Sequence, residues 1–209
     1  MPESKPLSLI LVDPDNRLCG AWKGAFRDDP TVEVVPGYFE DLPRYDCFIT
    51  AANSFGQMDA GVDAAVVRHF GRNMMWRVHD IILADYLGEQ PVGTSFLVET
   101  EDPDHPFVAH TPTMRVPMAI DRTDYVYVAF WAALLAIRRH NRDGGRPIEV
   151  IACPGLGTGY GCVPPAESAR QMALAYRHFR NPPARLDWTV AALRQKAIRL
   201  GGNSPPEAP

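Results

Sequence analysis

"IEVIACPGLGTGYGCVPPAESARQMALAYRHF", residues 148 to 179, joins a β-branched apolar run to a helical pattern through a loop with glycine at 155, 157, 159 and 161. Pro164 and Pro165 stand where the first turn of a helix tolerates proline. Ala169, Met172, Ala173, Tyr176 and Phe179 then recur at steps of three and four, the spacing of a helix that buries one face. A strand, a bare loop and a helix in that order form the repeating unit of layered α/β folds. One or two glycines would only permit a tight turn. Four of them, alternating with Leu156, Thr158 and Tyr160, expose a run of backbone N–H groups beside the positive end of the following helix. Such a place favours an anion, most often phosphate.

Two common phosphate loops do not fit. A Walker A loop requires GxxxxGK[ST], and no lysine lies between 153 and 165. A Rossmann fingerprint needs GxGxxG early in a βαβ unit with an acidic residue about 20 positions on. Here Tyr160 and Cys162 fall around the place of the third glycine, and no strand pattern follows the helix.

Working outward, strand-like runs occupy 7–12, 31–35, 47–51, 95–99, 107–110 and 148–153. Between them, Val62, Val66 and Phe70 keep helical spacing, as do Val126, Phe130, Ala133, Leu134 and Ile137 after the capping candidate Thr123. Alternating helices and continuous apolar strands predict an α/β fold with a central sheet covered on both faces. Trp76 and the stripe Tyr125, Tyr127 and Trp131 read as core or as an interface, and their helical spacing favours core. With 209 residues, 46% hydrophobic and 22% charged, the chain suits one core. Asn181-Pro182-Pro183 closes a single domain over 1–180; 181–209 forms an extension with an amphipathic segment at 187–200 and a frayed "GGNSPPEAP" tail.

The net charge of -4 and the scattered placement of the 21 Lys and Arg argue against general nucleic-acid binding. No run reaches the ~18 apolar residues of a membrane span, and the chain reads as cytoplasmic. Cys19, Cys47, Cys153 and Cys162 form no CxxC and are expected to be reduced and mostly buried. The six histidines, at 69, 79, 105, 110, 140 and 178, are never paired at i, i+3 or i, i+4, so no metal site is expected.

"FITAANSFGQMDAGVDAAVVRHFG", residues 48 to 71, is the other place where a strand enters small and polar residues before a helix. Ligands of α/β sheets bind beyond the carboxyl ends of strands, so both stretches point toward one crevice. Asn53 falls just past the strand and Asp63 opens the helix ten residues later. Each has a plain structural reading, an Asx turn for the asparagine and a macrodipole partner for the aspartate. Together with Gly56, Ala60 and Gly61 they suit a ligand carrying both phosphate and hydroxyl groups.

"TAANSFGQMDAGVDAAVV" resembles the macrodomain signature in which NAAN is followed by a glycine run and GVD, and "PGLGTGYGCVPP" resembles that family's second, phosphate-facing loop. "FVAHTP" at 107–112 is similar to the strand between them, and the likeness spans roughly 31–180. It implies a three-layer α/β/α sandwich with a central mixed sheet and a site for ADP-ribose or an ADP-ribosylated macromolecule, with no cofactor. Asn53 and Asp63 match the family's last Asn of NAAN and its Asp of GVD, and are the implied catalytic pair. Tyr38, Phe39, Ala52, Ser54, Gly61, Val62, Gly155, Leu156, Gly157, Thr158, Gly159, Tyr160 and Gly161 are the implied ligand-binding residues. Gln57-Met58-Asp59-Ala60 replaces most of the glycine run, and three further positions depart from the pattern. Gly37-Tyr38-Phe39 replaces the GDI that supplies an adenine-binding Asp, leaving Glu40 or Asp41 as substitutes; Thr50 replaces the first Asn of NAAN; and Gly161 stands where an aromatic residue packs on the distal ribose, with Tyr160 beside it. His69, expected on a helix surface, and His110, expected packed at a strand end, are the alternative acid–base candidates.

Overall fold

The computed structural model describes residues 7–199, and the tail expected at 201–209 lies outside the described residues. β1 (Ser8–Asp13) runs parallel to β2 (Val32–Pro36) on one side and β8 (Val150–Cys153) on the other. β3 (Cys47–Ile49) pairs β8 and β6 (Phe107–His110), and β5 (Phe96–Glu99) closes the edge antiparallel to β6, giving the order β2-β1-β8-β3-β6-β5. The sheet is mixed. β4 (Ala52–Asn53) and β7 (Pro112–Met114) form a separate short pair at its end.

Each central strand buries both faces, which is why its sequence is an unbroken apolar run. Leu9, Leu11, Cys47, Ile49, Ile151 and Cys153 pack under α1 (Asn16–Ala25), α4 (Tyr125–Asp143) and α5 (Pro165–Arg180). Val12, Phe48, Val108 and Ala152 face the other way, under α2 (Gly61–Phe70) and α3 (Asn73–Tyr86). This is the expected three-layer α/β/α sandwich. Phe130 of α4 is fully buried in the first layer. Phe130→Ala is expected to cost about 3–5 kcal/mol of unfolding free energy in urea titrations, the usual loss for emptying an aromatic core site.

Helix ends follow local rules. Asp15 caps α1 by accepting the Arg17 N–H, and α5 opens on proline at its first position. Asp187 caps α6 (Trp188–Ile198) through the Val190 N–H, and Arg170 of α5 ties α6 down by donating to the carbonyls of Ala197 and Ile198.

Two expectations about apolar residues are corrected. Trp76 is 57% exposed, because α3 turns Met74, Val78 and Ile82 to the sheet and leaves residue 76 on the far side. Tyr125 also stays at the surface, whereas Tyr127 is buried with its hydroxyl 3.0 Å from His178 Nδ1. The segment at 187–200 has no apolar stripe on the domain: of α6 only Ile198 is buried, and Trp188 is exposed. Among the described residues no helix is long and apolar enough to cross a membrane.

Candidate functional site

A cavity of about 620 Å³ opens at the carboxyl ends of β1, β2 and β8, where the loop after β4 and the loop after β8 face each other. The two bare stretches are brought to one crevice.

In the loop after β8 the carbonyls turn back into the protein. Gly157 O accepts the Val163 N–H, Gly159 O that of Cys162, Gly161 O that of Ile120, and Leu156 O the Ser168 hydroxyl. The N–H of Gly155 donates to Asp13 Oδ2 at 3.2 Å. From Leu156 to Gly161, no backbone N–H donates to a protein acceptor among the described residues. Carbonyls anchored inward and amides left over, at the amino end of α5, are the makings of an anion nest.

The glycines divide into two kinds. A Cβ at 155 would collide with Leu18, and one at 161 with the carbonyl of Gly157; Gly157 itself has φ +73° and would press on Val126 and Val163. Packing requires those three. A Cβ at Gly159 would meet nothing within 4 Å, and this residue lines the cavity. Packing within the chain does not require a glycine there.

The loop after β4 is held by Asn53. Its Oδ1 accepts the N–H groups of Phe55 and Gln57, and its Nδ2 donates to Gln57 O at 2.8 Å. The Asx-type reading of this residue is therefore realised, with one Nδ2–H to spare. Gly61, at φ +57°, turns the chain into α2 and brings Asp63 to the cavity wall. Asp63 is 4% exposed, and its Oδ1 has no hydrogen-bond partner. Burial pushes its carboxyl up to about 7, with Asp59 adding to the rise and the Thr50 hydroxyl opposing it. An unpartnered acceptor with so displaced a proton affinity in a cleft makes Asp63 a candidate for a functional position.

Of the remaining candidates, Ala52, Gly61, Val62, Gly155, Gly157, Thr158, Gly159, Tyr160 and Gly161 line the cavity. Tyr38 lies on its rim, 60% exposed, but the Phe39 ring stacks on Phe48 at 4.1 Å inside the second core and only backs the wall. Ser54 and Leu156 are buried away from the lining; Ser54 bonds Met114 and Gln90 through its backbone, and Leu156 offers the cavity no side chain. Glu40 lines the cavity and Asp41 does not.

Lining residues that were not among the sequence candidates include Asp13, Arg68 and, from the strand and turn that end β7, Thr113, Met114, Val116 and Pro117. Asp13 ends β1 and accepts the N–H groups of Asp15 and Gly155, tying β1 to the glycine loop. Burial raises its carboxyl pKa against those two bonds. Its place at the carboxyl end of an apolar strand is the signal that could have found it. Arg68 follows Gly61 and Ala65 along one face of α2, a periodicity that was readable but unremarkable alone. His110 is fully buried, bonded through Nδ1 to Gln90 at 2.6 Å, and burial pushes it down to about 3; it stays neutral and outside the cleft. His69 is on the exposed face of α2, away from the cavity.

The model of the Macro domain matches residues 49–172. An uncharacterised protein of Aquifex aeolicus is 30% identical over 148 residues, covering 71% of this chain and 82% of the relative. One from Aeropyrum pernix is 32% identical over 135 residues, covering 63% of this chain and 64% of the relative. Among solved structures, the macrodomain of Mycobacterium tuberculosis DarG superimposes with a TM-score of 0.57 at 20% identity, over 68% of this chain and 87% of that one. A mutant of the Oceanobacillus iheyensis macrodomain with ADPR does so with a TM-score of 0.59 at 15% identity, over 91% of both chains. At such identities the solved structures speak to the fold.

Proposed function

Because this chain belongs to the macrodomain family, which binds ADP-ribose, we propose that it takes ADP-ribose, free or attached to a macromolecule, and hydrolyses an ADP-ribosyl linkage. The observation that carries the reading is the run of unengaged amides from Leu156 to Gly161 across a cavity from Asp63, whose Oδ1 has no hydrogen-bond partner. The amides suit a diphosphate; the carboxylate suits a ribose hydroxyl or the water that attacks beside it.

In the proposed reaction the loop after β8 fixes the diphosphate, which holds the distal ribose near α2. Ionised Asp63 accepts a proton from a water molecule as the water oxygen bonds to the anomeric carbon. The bond from that carbon to the carrier breaks, and the carrier leaves with the electron pair. Positive charge that develops on the ribose is offset by the nearby diphosphate. Asn53 holds the shape of its loop and turns its spare N–H to the ribose.

A binding module without turnover is the second reading, favoured by the Asn53 carboxamide being engaged on both of its atoms within the loop. Calorimetry with ADP-ribose, ADP, AMP and NAD, followed by a release assay on an ADP-ribosylated protein with the same sample, separates the two. Preference for ADP-ribose with release of the modifier is expected. Preference without release leaves the binding module, and failure to bind any of the four removes both readings.

A further inference from the structure

His69, Asp102 and His105 come together although they lie on different elements, and each offers one donor atom within 4.8 Å of the other two. His69 belongs to the last turn of α2; the other two sit in the turn between β5 and β6. Asp63, at the cavity, begins the same helix, so about 9 Å of helix separates the cluster from the cleft. None of the three lines the cavity.

The turn is built to hold its two side chains still. The Thr100 hydroxyl accepts the Asp102 N–H and donates to His105 O; Asp102 Oδ1 accepts the Asp104 N–H; Arg146 donates to Pro103 O. The Tyr45 ring lies 4.3 Å from the His105 ring, whose side chain is 12% exposed.

Both nitrogens of the His105 ring face acceptors. Nε2 is 3.3 Å from Leu42 O, and Nδ1 is 3.1 Å from Asp102 Oδ2. With its one proton on Nε2, neutral His105 would set a lone pair on Nδ1 against a carboxylate lone pair. A cation between them resolves the conflict. A ring N–H given to a backbone carbonyl while the other nitrogen meets a metal is the usual arrangement of a metal-bound histidine. The 3.1 Å separation is close to the roughly 3.3 Å between two donors on a tetrahedral zinc with bonds of about 2.0–2.1 Å. His69, exposed and making only ring contacts with Phe39, Phe70 and His105, is the third donor and can swing inward. The Tyr45 ring packs on that of His105, and its buried hydroxyl has no hydrogen-bond partner.

We propose that His69, Asp102 and His105 bind a divalent transition-metal ion of the zinc class, which pins the end of α2 to the β5–β6 turn. This site is separate from the ligand cleft and does not depend on what the cleft binds. Pairing rules along the sequence missed it because two of the ligands are 33 or more positions from the third.

Chelator-stripped protein titrated with zinc chloride, by calorimetry and by competition with a chromophoric chelator, provides the test. Wild type is expected to bind one equivalent with micromolar or tighter affinity. His69→Gln and Asp102→Asn should each weaken binding at least tenfold. Cys162→Ser, which removes the exposed thiol, should leave it unchanged. Saturating zinc should raise Tm by about 5 °C in wild type and Cys162→Ser and by less than about 1 °C in the two ligand variants. ADP-ribose calorimetry on every variant reports on the cleft separately and verifies the fold. No stoichiometric zinc in wild type, or undiminished zinc in both ligand variants, would overturn the site and leave an imidazolium–carboxylate pair in its place.

Discussion

Asp63→Ala slows release of ADP-ribose from a modified substrate by about 10²–10⁴-fold, while its affinity for free ADP-ribose falls less than about tenfold. The separation follows from where the carboxylate stands. In the proposed reading the diphosphate rests on the loop after β8, across the cavity from residue 63. Release rates and calorimetry on the same preparation read the two quantities. Equal rates in wild type and variant would remove the general base and leave the binding module.

Proton affinity makes the same residue visible in two further ways. As a base Asp63 must be ionised, so kcat/KM should climb as pH rises through about 7 and level off above it. For stability the sign is opposite. In the unfolded chain the carboxyl loses its proton near 3.8, whereas in the fold it keeps it to about 7. Between those values the folded state binds more protons, so its stability falls as pH rises across that window and is flat beyond it. At about 1.4 kcal/mol per unit, ionising Asp63 in the fold costs on the order of 4 kcal/mol. Asp63→Asn recovers part of this, since its amide is itself left short of partners. Urea titrations at pH 8 should find this variant more stable by about 2 kcal/mol, and titrations near pH 3, where the wild-type carboxyl is already protonated in the fold, should find it less stable by about 2 kcal/mol.

The layered fold was legible because buried parallel strands cannot hide their composition: 107–109 and 150–153 are continuous apolar stretches, and the sheet places both inside. The pairing of Asn53 with Asp63 was legible as spacing along a chain that leaves a strand and enters a helix. Their states were not. That Asn53 would spend its carboxamide on Phe55 and Gln57, and that one carboxylate oxygen of Asp63 would lack a partner, depend on how the loop closes. Ser54 and Leu156 fall off the cavity lining, and the Phe39 ring turns from it into the core, for a related reason. Neighbours of cleft residues alternate inward and outward, and the phase of that alternation is set by packing against Phe48 and Met114. Trp76 failed in the same way, as helical spacing gives a face without saying which face is covered.

Gly159→Val is expected to lower affinity for ADP-ribose by about 100-fold or more and to move Tm by less than about 2 °C. Its Cβ meets no atom within 4 Å and its φ is not in the left-handed region, so the folded chain accepts a side chain there. That side chain stands in the cavity over the amides of neighbouring residues. Keeping a diphosphate off two of these amides forfeits two charge-assisted hydrogen bonds of about 1.5–3 kcal/mol each, which is 10²-fold at the low end. Gly157→Val should behave in the reverse manner. Its φ of +73° and its closeness to Val126 and Val163 strain the loop and the core beneath it, so Tm falls by several degrees before any ligand is added. Thermal melts and ADP-ribose calorimetry on the two variants therefore separate a glycine required by packing from one required by a ligand. If Gly159→Val bound ADP-ribose as tightly as wild type, the diphosphate would not rest on this loop, and the amides from Leu156 to Gly161 would need another explanation.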